Sequence, residues 1–376
     1  MNHDILKVSN PNIKENPTLK SVYTKRAFPY PLHIGFTTSI PVEIIYAAGH
    51  KPIDLNNVFI LNDSQRLVRE AELSGFPRNL CSWIKGMYSV ISKAPTAPAG
   101  FRFDSWEGLD IIIGVVQGDC SNTQSLMDIL KDEGKKIIPF SYPYDRNKDV
   151  IENEIAKLEA TFSVSREQTM TMKRRLDVIR KKLILLDEMT WKTNQITSFE
   201  NHIWLVTSSD FNGDYNKYSN ELNIFIEEAS NRKPFKNNIR LGFVGVPPIL
   251  EDFYSFVEQC GARVVFNEVQ KQFSMFYLED DIVNQYHKFT YPYSIFNRID
   301  DIRHAIKERH IHGILCYTQS FCHRQLDILS FKKHLEIPIL LIEGDIPGKI
   351  DERTKLRIES FLEMICYEKE ENLINV

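Results

Sequence analysis

LDIIIGVVQGDCSNTQSLMDIL, residues 109–130, reads as a strand, a turn and a helix in that order. The run from Leu109 to Val116 is apolar almost throughout, as a strand buried on both faces requires. Gly118 and Asp119 end it. In SLMDILKDEG the apolar residues move to helical spacing, and KIIPFSYP begins a further strand. Strand, helix and strand with no hairpin turn between them is the pattern of a parallel sheet covered by helices.

The same alternation extends in both directions. Upstream, LHIGFTT from Leu32 reads as a strand. PVEIIYAAGH reads as a helix, with Pro41 in its first turn and Gly49 near its end. KPIDLNN reads as a short strand and turn, and NLCSWIKGMYSVIS as a helix carrying Cys81 near its start. Downstream of residue 148 the character changes. KDVIENEIAKLEATF and REQTMTMKRRLDVIRKKLILLDEMTWKTN combine helical apolar spacing with dense charge, the mark of amphipathic helices with a solvated face. A second alternating series starts at Asn238, with strands in IRLGFVGVPP, ARVVFNEV, HGILCYT and IPILLIEGD and helices between them.

The expected class is therefore α/β, with two doubly wound parallel-sheet halves joined by helices and a cleft between them. The expected organisation is an N-terminal arm over 1–30, a first α/β domain over 31–148, a helical connector over 149–235 and a second α/β domain over 236–376. In such sheets ligands bind outside the carboxyl ends of the strands.

Composition narrows the functions. At 376 residues more than one domain is expected. A formal charge of −4 with mixed signs gives no basic footprint for nucleic acid, and 43% hydrophobic residues suffice for a sizeable core. The longest apolar runs, such as IPILLI, are strand-sized and too short to span a bilayer. The N-terminus has no apolar signal region, so a cytoplasmic protein is expected, in reducing surroundings where structural disulfides are rare. There is no GxxxxGK[ST] phosphate loop, no GxGxxG in GFVGVPP, no HExxH, and no nucleophile elbow in LVTSSDFNG.

Three of the six cysteines stand out by position. Cys81, Cys120 and Cys322 each lie where an extended run or turn gives way to a helix, and unpaired N–H groups at a helix start stabilise a thiolate. Three thiolates are enough to hold three corners of an iron–sulfur cube and leave the fourth iron open. Spacing alone does not establish such a site, because there is no CxxC pair and a free cysteine is more often a small buried hydrophobe. Cys260 and Cys366, on apolar helices, read as packed, and Cys316 as buried in the strand ILCYT.

The stretches TTSIPVEIIYAAGHKPIDLNN, PRNLCSWIKGMY, VVQGDCSNTQSLMDIL, GARVVFNEVQKQFSM, ILCYTQSFCHRQLDI and IPILLIEGD with RTKLRIESFLEMI occur in order over nearly the whole chain. As a set they resemble the 2-hydroxyacyl-CoA dehydratase / benzoyl-CoA reductase family, specifically its cluster-carrying D-component subunits. The resemblance implies two Rossmann-like domains with an oxygen-sensitive cluster between them. It implies Cys81, Cys120 and Cys322 as ligands of one [4Fe–4S] cluster. The family's first-turn cysteine is replaced here by Phe36-Thr37-Thr38-Ser39, and the second-domain cysteines of double-cubane members by Val246 and Pro247, which favours the single cluster.

The activity implied is a lyase reaction, elimination of water from a 2-hydroxyacyl-CoA through a ketyl radical after one-electron activation. The alternatives are low-potential reduction of an aryl- or acyl-CoA or another small molecule, and a non-catalytic partner or electron-relay role. The implied partners are a homologous subunit, an ATP-dependent activator and the acyl-CoA thioester. Glu43, in the first turn after the first strand, is the candidate base. A Glu there is also stabilised by the helix dipole alone. Thr37, Thr38 and Ser39 are candidate donors to a thioester carbonyl or cluster sulfur, or plain caps before Pro41. His323, beside Cys322, would tune the cluster or simply lie on a helix surface, and Trp83 and Lys85, flanking Cys81, would shield the cluster and balance its charge. Glu268, Gln270 and Gln272 would share one side if extended, as a cleft wall or a solvated loop.

Overall fold

HIGF at His33–Phe36 forms β1, the most buried strand of the first sheet. It is followed by α1 (Val42–Ala47), β2 (Lys51–Asp54), α2 (Leu55–Leu61), α3 (Ser64–Leu73), α4 (Ser82–Lys93), β3 (Ile111–Gln117), α5 (Ser121–Asp132) and β4 (Ile137–Ser141). The computed structural model describes residues 31–93, 108–236 and 239–374, so the arm expected over 1–30 lies outside the described residues. The four strands are parallel, in the order β2-β1-β3-β4.

Four helices come next: α6 (Lys148–Phe162), α7 (Arg166–Trp191), α8 (Ser198–Thr207) and α9 (Tyr215–Ser230). Ser165 with Gln168, and Thr197 with Glu200, form reciprocal capping boxes that start α7 and α8. In α7, Leu176, Ile179, Leu183 and Leu186 are buried at helical spacing, so one face packs inward while the charged face meets solvent.

The second series is β5 (Ile239–Gly245), α10 (Phe253–Gln259), β6 (Ala262–Asn267), α11 (Glu268–Phe273), α12 (Ile282–Lys288), α13 (Ile295–Glu308), β7 (Gly313–Gln319), α14 (Asp327–His334), β8 (Ile339–Gly344) and α15 (Glu352–Ile374). Its strands are again all parallel, in the matching order β6-β5-β7-β8. The core crosses the sequence divisions. Val283, Tyr286 and Phe289, on and just after α12, belong to the same apolar cluster as Ile34, Phe36 and Ile113 of the first sheet.

Two four-stranded sheets of this order each have one place where the chain's winding reverses, between β1 and β3 and between β5 and β7. There the loops after adjacent strands part and leave a crevice. Glycine makes the turn at a strand end in both sheets. Gly118 follows β3 with φ +92°, and a Cβ there would meet Tyr142 at 2.7 Å and Pro292 at 3.0 Å. Gly245 ends β5 with φ +103°, and a Cβ there would collide with the Tyr317 carbonyl. Both positions need glycine's left-handed freedom and its lack of a side chain.

Candidate active site

A cavity of about 530 Å³ lies at these crevices. Its wall takes Thr37 and Thr38 after β1, Asp119 and Cys120 after β3, Val246 and Pro247 after β5, and Gln319 and Cys322 at the end of β7. Cys81 and Trp83 reach it from the start of α4. All three cysteines singled out in the sequence therefore share one wall.

Their local settings are alike. Cys120 is the residue before α5, Cys322 precedes the short 3-10 turn His323–Leu326, and Cys81 precedes α4. Burial pushes the Cys81 thiol up to about 12, and the nearby Cys322 and Cys120 add to this. Burial, then the Asp119 carboxylate, pushes Cys120 up to about 11, and burial also raises Cys322. In each case backbone N–H groups two or three residues on oppose the rise: Trp83 and Ile84 for Cys81, Asn122 and Thr123 for Cys120, Arg324 for Cys322. These are the N–H groups that a helix start leaves without partners. Among the described residues no three His, Cys, Asp or Glu side chains converge on a point that would hold a single metal ion.

Trp83 stacks edge-on against Phe59 at 5.1 Å, and its indole N–H is buried with no hydrogen-bond partner among the described residues. Thr38 is on the wall. Thr37 is too, but its hydroxyl accepts from the Val115 N–H at 3.0 Å and so ties β1 to β3. Ser39 is buried off the wall with its hydroxyl unpaired, and its carbonyl accepts from the Tyr142 hydroxyl at 2.7 Å. His323 lines the cavity, and burial and the Arg324 guanidinium lower its pKa. Asp119 is raised to about 6, chiefly by burial, with Arg324 opposing.

Two features of the wall escaped the sequence reading. Phe199, His202, Ile203 and Val206 of α8 line it at helical spacing, so the helical segment is part of the site. Asp54, at the end of β2, is also on the wall. It is buried, caps α2 through the Asn56 N–H at 2.9 Å, and accepts from the Ser209 hydroxyl at 2.6 Å. Burial raises its pKa.

Other expected residues lie elsewhere. Glu43 is 0% exposed and does not line the cavity. Its carboxylate pairs with Arg180 of α7 at 2.7 Å and accepts from Gln285 and Tyr286, each at 3.0 Å. The cleft-facing orientation expected for it is not adopted, because α7 and α12 cover that side of α1. Lys85 is off the wall, paired with Glu72 at 2.7 Å, rather than facing the cysteines. Glu268, Gln270 and Gln272 are helical, not extended, and all three are buried. Glu268 forms a two-point ion pair with Arg298, at 2.6 and 2.8 Å. Cys316 is buried in β7, Cys260 is half-buried, and Cys366 is exposed on α15, not packed as expected.

Fold and wall together define an α/β protein with a thiol-bearing cavity at the switch points of two parallel sheets. Residues 37–365 match the family model of the 2-hydroxyglutaryl-CoA dehydratase D-component, and the chain belongs to that family, a component of a dehydratase-type lyase. No curated protein matches it. Among the described residues no helix is long and apolar enough to cross a membrane.

Proposed function

We propose that this chain is the cluster-carrying component of a 2-hydroxyacyl-CoA dehydratase and that the cavity receives the acyl end of the thioester. The observation that carries the reading is the set of Cys81, Cys120 and Cys322 on one wall, each at the start of a helical segment. These thiols would hold three corners of a [4Fe–4S] cluster, which supplies one-electron chemistry at low potential. The donor set fits. The backbone N–H groups beside each sulfur and the unpaired Trp83 indole N–H offer hydrogen bonds to a sulfur-rich anion.

The remaining wall suits an acyl chain. Ile60, Ile84, Met87 and Ile249 exclude water, and Thr38 offers a hydroxyl. Asp54, buried and with a raised pKa, is the carboxylate this reading assigns to carry a proton. Asp54, Asp63, Asp119 and Glu251 outnumber Arg324 on the wall, so the phosphates of CoA would rest outside it. With no phosphate loop in the sequence, a separate ATP-dependent activator would deliver the electron, and a homologous subunit would complete the enzyme. The test is anaerobic purification with iron and sulfide analysis. About four irons per chain are expected, with most lost on Cys→Ser at each of the three positions. Full iron retention in all three variants would overturn the reading.

A further inference from the structure

A chain of buried polar side chains ends at His202, and the amide orientations along it set which of its ring nitrogens carries the proton. It begins at the Asp187 carboxylate, held by Arg309 at 2.6 and 3.1 Å. A carboxylate only accepts. The Asn201 amide group facing it at 3.1 Å is therefore the NH2, which also meets the Thr190 hydroxyl oxygen at 3.0 Å. That leaves Asn201 Oδ1 to accept from Asn267 Nδ2 at 2.8 Å, so Asn267 presents Oδ1 to Tyr254, 2.9 Å away. Tyr254 has one hydrogen, and it goes there.

The Tyr254 oxygen can then only accept; it lies 3.1 Å from His202 Nδ1 and 3.2 Å from the Gln270 amide, which as placed presents its NH2. The same NH2 lies 3.0 Å from His202 Nδ1. Nδ1 is thus the acceptor, and the proton of the neutral ring sits on Nε2. Every member of this chain is buried, His202 being the most open at 7% exposure. In this orientation the buried Gln270 Oε1 has no hydrogen-bond partner among the described residues. Burial keeps the ring neutral by pushing its pKa down to about 3.

His202 lines the cavity, and its Nε2 has no hydrogen-bond partner among the described residues. We infer that His202 is a fixed, neutral N–H donor on the cavity wall that binds an acceptor oxygen at the acyl end of the thioester. The inference rests on the proposed function for its substrate class, while the tautomer stands on the hydrogen-bond chain alone. Five side chains are aligned to hold one proton at one atom, which is more than packing a histidine in a core requires.

The test has two arms on the full-length protein. Long-range ¹⁵N–¹H NMR of ¹⁵N-histidine protein, assigned by loss of the signal in His202→Gln, should show the neutral Nε2–H form. Gln270→Glu, which puts an acceptor against Nδ1, should move the proton there. An Nδ1–H form in the wild type would overturn the inference. In the second arm, calorimetry compares 2-hydroxyglutaryl-CoA with free CoA. His202→Ala should weaken the thioester roughly 3- to 10-fold, the scale of one neutral hydrogen bond, and leave CoA unchanged. His202→Gln, which keeps an N–H near the Nε2 position, should restore most of the loss. Equal loss for both ligands, or none, would overturn the inference. A wild type that binds the thioester no better than CoA would overturn the substrate reading, and with it what His202 meets.

Discussion

Glu43→Gln should destabilise the fold while sparing the cavity. Glu43 is 0% exposed and its partner Arg180 is 2% exposed, so the ion pair is cut off from water. Glutamine is nearly the same shape. Its oxygen would still accept from Arg180 and Gln285, and the Tyr286 hydroxyl, 2.8 Å from the Ile40 carbonyl, would turn its hydrogen there and accept from the new NH2. What is lost is the counter-charge. Removing one partner of a buried pair costs about 3–5 kcal/mol. Arg180 keeps Asp177 at 2.9 Å, which places the loss near the lower end, about 3 kcal/mol or roughly 100-fold in the unfolding equilibrium. Urea unfolding followed by tryptophan fluorescence should show a lower midpoint at unchanged slope. Adding Arg180→Met should recover at least half of the loss, since Asp177 keeps Lys173 at 2.6 Å. An unchanged midpoint with turnover lost would refute this reasoning and return Glu43 to the chemistry.

Asp54→Asn should keep full iron and lose at least ~100-fold in turnover, the scale of general acid–base work; wild-type turnover would remove Asp54 from the mechanism. In native protein, iodoacetamide with peptide mapping should label exposed Cys366 quickly and spare Cys316, which is buried and raised to about 12; equal labelling would contradict this arrangement. His202, lowered by burial to about 3 against its ordinary 6.5, binds its proton more weakly folded than unfolded. It therefore lowers stability as pH falls from about 6.5 toward 3, by at most about 1.4 kcal/mol per unit. Unfolding midpoints from pH 6.5 to 4.5 should fall less steeply in His202→Gln than in the wild type, and parallel curves would show His202 to be ionised in the fold.

The parallel α/β class was legible because β3, β5 and β7 are largely apolar runs that end in Gly118, Gly245 or a polar turn. The thiol wall was legible because Cys120 and Cys322 stand at strand-to-helix junctions, where this topology gathers ligands. The fate of Glu43 was not. Its place in the first turn of α1 was read correctly, but α7 and α12, distant in sequence, decide what covers it, and Arg180 sits on the solvated-looking charge pattern of α7. NEVQKQF has too few residues for a helical period to show, so β6 was extended into α11. The α8 face was hidden because Phe199, His202, Ile203 and Val206 have the same spacing whether they meet a core or a cavity. The polar chain from Asp187 to His202 joins five separate elements and leaves no local signature.

In the proposed function three thiols hold one cluster with one iron left for substrate. Mössbauer spectroscopy of anaerobic, iron-57-reconstituted protein tests it most directly. The expected spectrum has iron in two environments at about three to one, with the minor one alone shifting when 2-hydroxyglutaryl-CoA is added. Four equivalent irons that ignore the thioester, or mononuclear iron that persists when Cys81, Cys120 and Cys322 are replaced together, would contradict it.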